Sequence, residues 1–405
     1  MGKFSKEFVR GSIILFLSFN VFNFLNLIFN FVSARLLGPA DYGTLAALMG
    51  LVFLFSIPNE TIQTVVSRYT TTFNVKKNKK KLKGLLTRGI GYFLKIALIL
   101  FLIFSAVSFL ILQHVLSIEW TLLVLTGVFI FGALLVPITR GILQGTKKFN
   151  SLGWTYISES VTKLLLAVAL ILLGWKVYGA ITGVVFGILI SFALSFISLK
   201  DILKLKGGEI KIKEVTPLAS LISIASIMIF FTLDIIFAKA FFSDEMVGYY
   251  AAVSNLGKVI FLGTWGISRA MFPLASEKHD KKENSKGLLE QTFILVFLAS
   301  LVILAVYMIF NEQIITLLYG SQYSKVSGLL IYPSFAMAIL SIANVFVLYN
   351  LCIKKPKRNY ITILAVAVQI TLFSIFHSTL MEFSIALIVS NLFLLISVIL
   401  TSLKK

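Results

Sequence analysis

The chain has 405 residues, of which 58% are hydrophobic and only 13% charged, against about 25% charged in an ordinary soluble domain. Its 37 Lys and Arg against 17 Asp and Glu give a formal net charge of +20. This composition excludes a soluble enzyme and predicts an all-α polytopic membrane protein.

Apolar runs of about 20 residues, enough to cross about 30 Å of hydrocarbon, predict twelve spans. The first six cover 11–33, 43–67, 89–112, 119–140, 153–174 and 177–199. The second six cover 216–239, 247–272, 289–311, 327–352, 359–376 and 381–402. The first follows Lys3, Lys6 and Arg10 like a signal peptide, but it is longer than a signal core and no A-x-A site follows, so it is read as retained.

Four asparagines punctuate that first span. At about 100° per residue, Asn20, Asn23, Asn26 and Asn30 fall within an arc of about 120°. Unsatisfied amides cannot face lipid. The row therefore meets either neighbouring helices or a hydrated cavity, where it can bind sugar hydroxyls without carrying charge. Arg35 follows at the outer end. In the second span Glu60 comes after Pro58 and Asn59, where proline removes a backbone donor.

The basic stretch 76–83 reads as a topogenic loop near anionic head groups rather than a nucleic-acid contact. With the N-terminus inside, Arg35, Lys176, Lys239 and Lys325 alone lie outside, and Lys95, Lys163 and Lys258 lie within spans. The other Lys and Arg are cytoplasmic, which by the positive-inside rule sets both termini there. In the fifth span Glu159 and Lys163 stand four apart and can pair on one helix face. Either can instead serve ion coupling.

A basic linker, 200–214, divides an N-terminal bundle, 1–199, from a C-terminal bundle, 215–405. The seventh span carries a second polar row, Ser220, Ser223, Ser226 and Asp234, followed by Lys239. Lys258 lies near the middle of the eighth span, where it can hold a phosphate as a point charge. Asp234 or Glu60 can bind Na+ or a proton. Arg35 and Lys239 read as interfacial anchors that can also receive an anionic head group, and Lys95 and Arg269 lie nearer the cytoplasmic ends. Cys352 is the single cysteine, His114, His279 and His377 are far apart, and no Walker loop, G-x-S-x-G or C-x-x-C appears. Neither a metal site nor a catalytic one is predicted.

The halves resemble each other. Residues 34–47 align with 238–252 with one insertion, matching Gly43, Ala46, Ala47 and Leu51 to Gly248, Ala251, Ala252 and Leu256. A weaker echo pairs 147–150 with 354–359. An even number of spans per repeat predicts parallel repeats, two pseudo-symmetric six-helix bundles with a substrate path between them.

At Phe31-Val-Ser-Ala-Arg-Leu-Leu-Gly-Pro-Ala-Asp-Tyr-Gly-Thr-Leu45 the sequence resembles polysaccharide-biosynthesis flippases, the Wzx-like members of the multidrug/oligosaccharidyl-lipid/polysaccharide (MOP) exporter superfamily. Supporting segments are 140–150, 247–252 and 271–274. The resemblance implies a MATE-like, alternating-access transporter in the cell membrane, not an enzyme. It implies a lipid-linked oligosaccharide as substrate, membrane lipids and glycan-assembly proteins as partners, and no cofactor beyond a Na+ or proton gradient. The rival readings are a cation-coupled multidrug exporter of the same superfamily, working through Asp234 and Glu60, and a non-transporting membrane scaffold.

Overall fold

The computed structural model describes residues 6–205, 207–208, 218–281 and 283–403. The N-terminal Lys3 and residues 206 and 209–214 of the predicted linker lie outside the described residues. So do the side chains of Lys6, Arg10 and Ser220.

The described residues form α-helices with short π and 3-10 segments and no strand. In chain order they are α1 Lys6–Phe55, α2 Asn59–Val75, α3 Lys79–Val107, α4 Gln113–Val115, α5 Trp120–Gly127, α6 Phe129–Gly145, α7 Phe149–Leu170, α8 Lys176–Ser198 and α9 Lys200–Leu203. The remainder are α10 Leu218–Phe241, α11 Asp244–Asp280, α12 Lys286–Ile309, α13 Asn311–Tyr319, α14 Ile331–Cys352, α15 Ile361–Ile375 and α16 Leu380–Leu403.

Among the described residues ten helical stretches are long and apolar enough to cross a membrane. Two of them, Ile13–Val75 with 63 residues and Phe149–Ser198 with 50, are each long enough for two of the twelve predicted spans. The first is broken at Gly38, whose φ of 74° suits glycine and strains other residues, and again at Ser56 to Pro58 before α2 restarts. Pro39 opens the second section of α1, where its missing N–H costs nothing. The second stretch breaks at Gly174, with φ 88°.

The chain divides into two compact units. One comprises residues 1–37 and 51–216, the other 38–50 and 217–405. Within the first unit, α2, α3 and α8 pack on α6, and α7 packs on α8. In the second, α11, α12 and α16 pack on α14, and α15 packs on α16. The two arrangements match over the second to sixth spans of each half, and in each the fourth span is the most buried.

Local geometry repeats too. Lys147 and Lys354 both take a left-handed φ, 59° and 54°. Both close a helix by the same pair of backbone bonds, Lys147 N to Gln144 O with Lys148 N to Leu143 O, and Lys354 N to Leu351 O with Lys355 N to Asn350 O. In each unit a cation beside this turn caps the last long helix. Lys148 Nζ donates to Ser198 O at 2.7 Å, and Arg358 Nη1 to Ser402 O at 2.9 Å. Basic residues near a helix C-terminus also oppose its negative dipole end, so the lysines and arginine of these loops serve local structure.

Close approach of α7 and α8 depends on Gly179, Gly183 and Gly187, a small-xxx-small row. A Cβ on Gly183 would lie 2.7 Å from the Ala167 Cβ and from the Lys163 carbonyl. In the second unit Gly43 lies against the backbone of Asp244 and Gly248, the latter being the residue it aligns with in sequence.

Candidate functional site

In the first unit, charge gathers where α6, α7 and α8 meet. The α6 helix continues to Gly145, five residues past the predicted end of the fourth span, and so draws Arg140 inside, to 3% exposure. Its guanidinium donates to Glu159 Oε2 at 2.6 Å, Thr155 Oγ1 at 3.1 Å, Thr155 O at 3.0 Å and Ser191 Oγ at 3.0 Å. Its Cζ lies 3.9 Å from the centre of the Tyr156 ring. Sequence spacing pairs Glu159 with Lys163, but the carboxylate turns to Arg140, which α6 brings against it through one Nη2–Oε2 contact.

Lys163 turns instead toward α1. Its Nζ donates to Asn26 Oδ1 at 2.9 Å and sits 3.9 Å from the Phe29 ring centre, with the residue 7% exposed. Among the described residues no carboxylate lies within ion-pairing distance of it. The core of this unit thus holds two cations, Arg140 and Lys163, against one carboxylate, Glu159.

The asparagine row runs along the edge of the packed face of α1. Asn20 and Asn23 are exposed, and Asn26 and Asn30 are half-buried. Asn20, Asn26 and Asn30 each turn the amide NH2 back to a carbonyl four residues earlier, at 2.7, 2.9 and 2.9 Å. That satisfies the donor side within the helix and leaves the amide oxygen for a partner. Beside the row, Phe19 and Phe22 set their edges against Tyr156 at 5.9 and 5.6 Å. Tyr156 donates to Gln63 Oε1, and Gln63 to Gln144 Oε1. Amide oxygens, aromatic rings and one cation without a carboxylate partner therefore share this face of the unit.

In the second unit each buried charge among the described residues has a partner of opposite sign. Asp234 on α10 is fully buried, and three residues of α11 spaced four apart converge on it. Ser254 Oγ donates to Oδ2 at 2.5 Å, Tyr250 OH to Oδ2 at 3.3 Å and Lys258 Nζ to Oδ1 at 3.0 Å. Lys258, expected to be an open cation, is thus paired, because α10 and α11 lie side by side and a buried carboxylate without a counter-charge would be costly. Lys239, expected at an interface, is 3% exposed and paired with Asp244. Of the serine row, Ser223 accepts from Asn359 Nδ2 at 3.1 Å, and Ser226 is buried.

Arg35, Glu60 and Lys95 are exposed, and Arg269 is exposed with its Cζ 4.1 Å from the Trp265 ring centre. The structure therefore gathers Asn26, Lys163 and Glu159 in one place and Asp234 and Lys258 in another, with Arg35 and Glu60 in neither. Sequence reasoning missed Arg140, Tyr250 and Ser254. The spacing Tyr250, Ser254, Lys258 marks one helix face and was a legible signal, whereas Arg140 looked like a span end.

No significant match occurs among curated proteins. The model of the family described as "Polysaccharide biosynthesis protein" matches residues 32–328. Among solved structures, an inward-facing MATE family multidrug resistance transporter of the MOP superfamily is similar over 94% of this chain and 92% of its own, with TM-score 0.74 and 14% identity. The lipid II flippase MurJ in an inward closed conformation is similar over 98% of this chain and 89% of its own, with TM-score 0.71 and 20% identity. Such likeness at low identity establishes the fold, and the family match covers most of the sequence. The chain accordingly belongs to the polysaccharide biosynthesis protein family and shares the helical fold of those MATE and MurJ structures.

Proposed function

We propose that this protein is a flippase that moves a lipid-linked oligosaccharide, a polysaccharide precursor, from the cytoplasmic to the outer leaflet by alternating access. The observation that carries this reading is Lys163, a buried cation held by an amide oxygen rather than by a carboxylate. It stands about 21 Å along α7 from its first residue, deep within a hydrocarbon layer about 30 Å thick. A charge at that depth is costly unless something neutral or anionic meets it, and an anionic phosphate or acidic sugar would supply the missing counter-charge. Exposed Asn20 and Asn23 lead to half-buried Asn26 and on to Lys163, a lane graded from surface to interior. Amide oxygens along it suit sugar hydroxyls, and the exposed Phe19 offers an aromatic ring to a sugar face.

The surplus positive charge speaks against organic cations as substrates. A flipping assay in proteoliposomes with a fluorescent lipid-linked oligosaccharide tests the reading. Lys163→Met should lower the rate at least about tenfold while the protein still accumulates and folds, since one lost charge-assisted contact is worth about 1.5–3 kcal/mol, and Lys163→Arg should retain part of it. Unchanged transport in Lys163→Met overturns this assignment.

A further inference from the structure

The Asp234 cluster answers a separate question, independent of the substrate. Asp234 is fully buried, and its Oδ2 accepts from the hydroxyls of Ser254 and Tyr250, while its Oδ1 faces Lys258. Such a set of hard oxygen donors suits a small monovalent or divalent cation. The place of that cation is taken by a side chain, for Lys258 Nζ lies 3.0 Å from Oδ1 and 5.4 Å from the Phe231 ring centre.

More polar atoms stand at the same level without partners. Thr232 Oγ1 and both amide atoms of Gln369 are buried and make no hydrogen bond. The register of α10 and α15 is set by Ser223 against Asn359, 136 residues apart, and by the Phe237 and Phe373 rings at 5.7 Å, with the same separation. That offset puts Gln369 opposite Leu233, the neighbour of Asp234. Buried polar groups normally find partners, so this level holds more ligating capacity than the protein itself uses.

We propose that the Lys258 ammonium is a tethered cation filling a monovalent-cation site centred on Asp234, so that the chain needs no Na+ there and gains a Na+ site when Lys258 loses its charge. A tethered ammonium cannot dissociate, so Asp234 keeps its counter-charge at any external Na+ concentration.

The test reads thermal stability of purified protein in detergent, in NaCl against choline chloride at equal ionic strength. The wild type should melt at the same temperature in both. Lys258→Met should melt lower in choline and rise with Na+, each tenfold increase above the dissociation constant adding an equal increment, as ligand linkage requires. The double variant Lys258→Met/Asp234→Asn should show no cation response. If Lys258→Met does not fold, Lys258→Ala purified in n-propylammonium chloride fills the vacated space, and its stability should fall when the alkylammonium is removed and return with it. A Na+-dependent melting temperature in the wild type overturns the proposal. So does a Lys258 variant that responds to neither Na+ nor alkylammonium.

Discussion

Arg140→Met gives the sharpest check on the interior of the first unit. Thr155 and Ser191 do not depend on the arginine, because Thr155 Oγ1 donates to Leu152 O at 2.7 Å and Ser191 Oγ to Thr155 O at 2.8 Å. Removing the guanidinium therefore strands chiefly the Glu159 carboxylate, whose side chain is 14% exposed. Breaking a buried pair by deleting one partner costs about 3–5 kcal/mol, whereas replacing both by apolar groups of similar volume is often near neutral. Arg140→Met should thus cost about 3–5 kcal/mol, and Arg140→Met/Glu159→Met less than about 2 kcal/mol. Together with Glu159→Met alone, these variants close a double-mutant cycle whose coupling should exceed about 2 kcal/mol. Equilibrium unfolding in mixed micelles measures all three variants. Additive costs, or a single-variant cost below about 1 kcal/mol, would refute the claim that this pair organises the core.

Gly183→Val should destabilise by about 1–3 kcal/mol, because its Cβ would sit 2.7 Å from Ala167 and force α7 and α8 apart. Gly263→Ala, with nothing within 4 Å of its Cβ, should be neutral or slightly stabilising in the same melting assay. Tyr42 is 1% exposed, and its hydroxyl accepts from Asn255 Nδ2 at 2.9 Å. Tyr42→Phe should cost about 0.5–1.5 kcal/mol and Tyr42→Ala about 3–5 kcal/mol, with hydrogen exchange rising in residues 38–50.

The periodicity and length of the apolar runs were enough to read a helical membrane protein, because crossing hydrocarbon demands that each segment satisfy its own backbone. The repeat was legible as well, since Gly43 and Gly248 keep matching small residues at matching close contacts. Even the faint echo between 147–150 and 354–359 proved to be one turn used twice, with a left-handed lysine and a capping cation in each unit.

Partner choice was another matter. Helical spacing allowed Glu159 to meet Lys163 but carried no information about Arg140, which lies 19 residues away on a different helix. Nor did it tell that Lys258 would close on Asp234 across 24 residues. One-dimensional pattern sets which face of a helix a charge occupies. Which counter-charge it meets depends on how helices stack, and that stacking rests on glycine contacts and buried side chains contributed by distant segments. Hence the sequence by itself determined that costly charges lie inside the membrane, and the tertiary structure alone decided that one unit pairs its buried charges with opposite ones while the other keeps a lysine that no carboxylate meets.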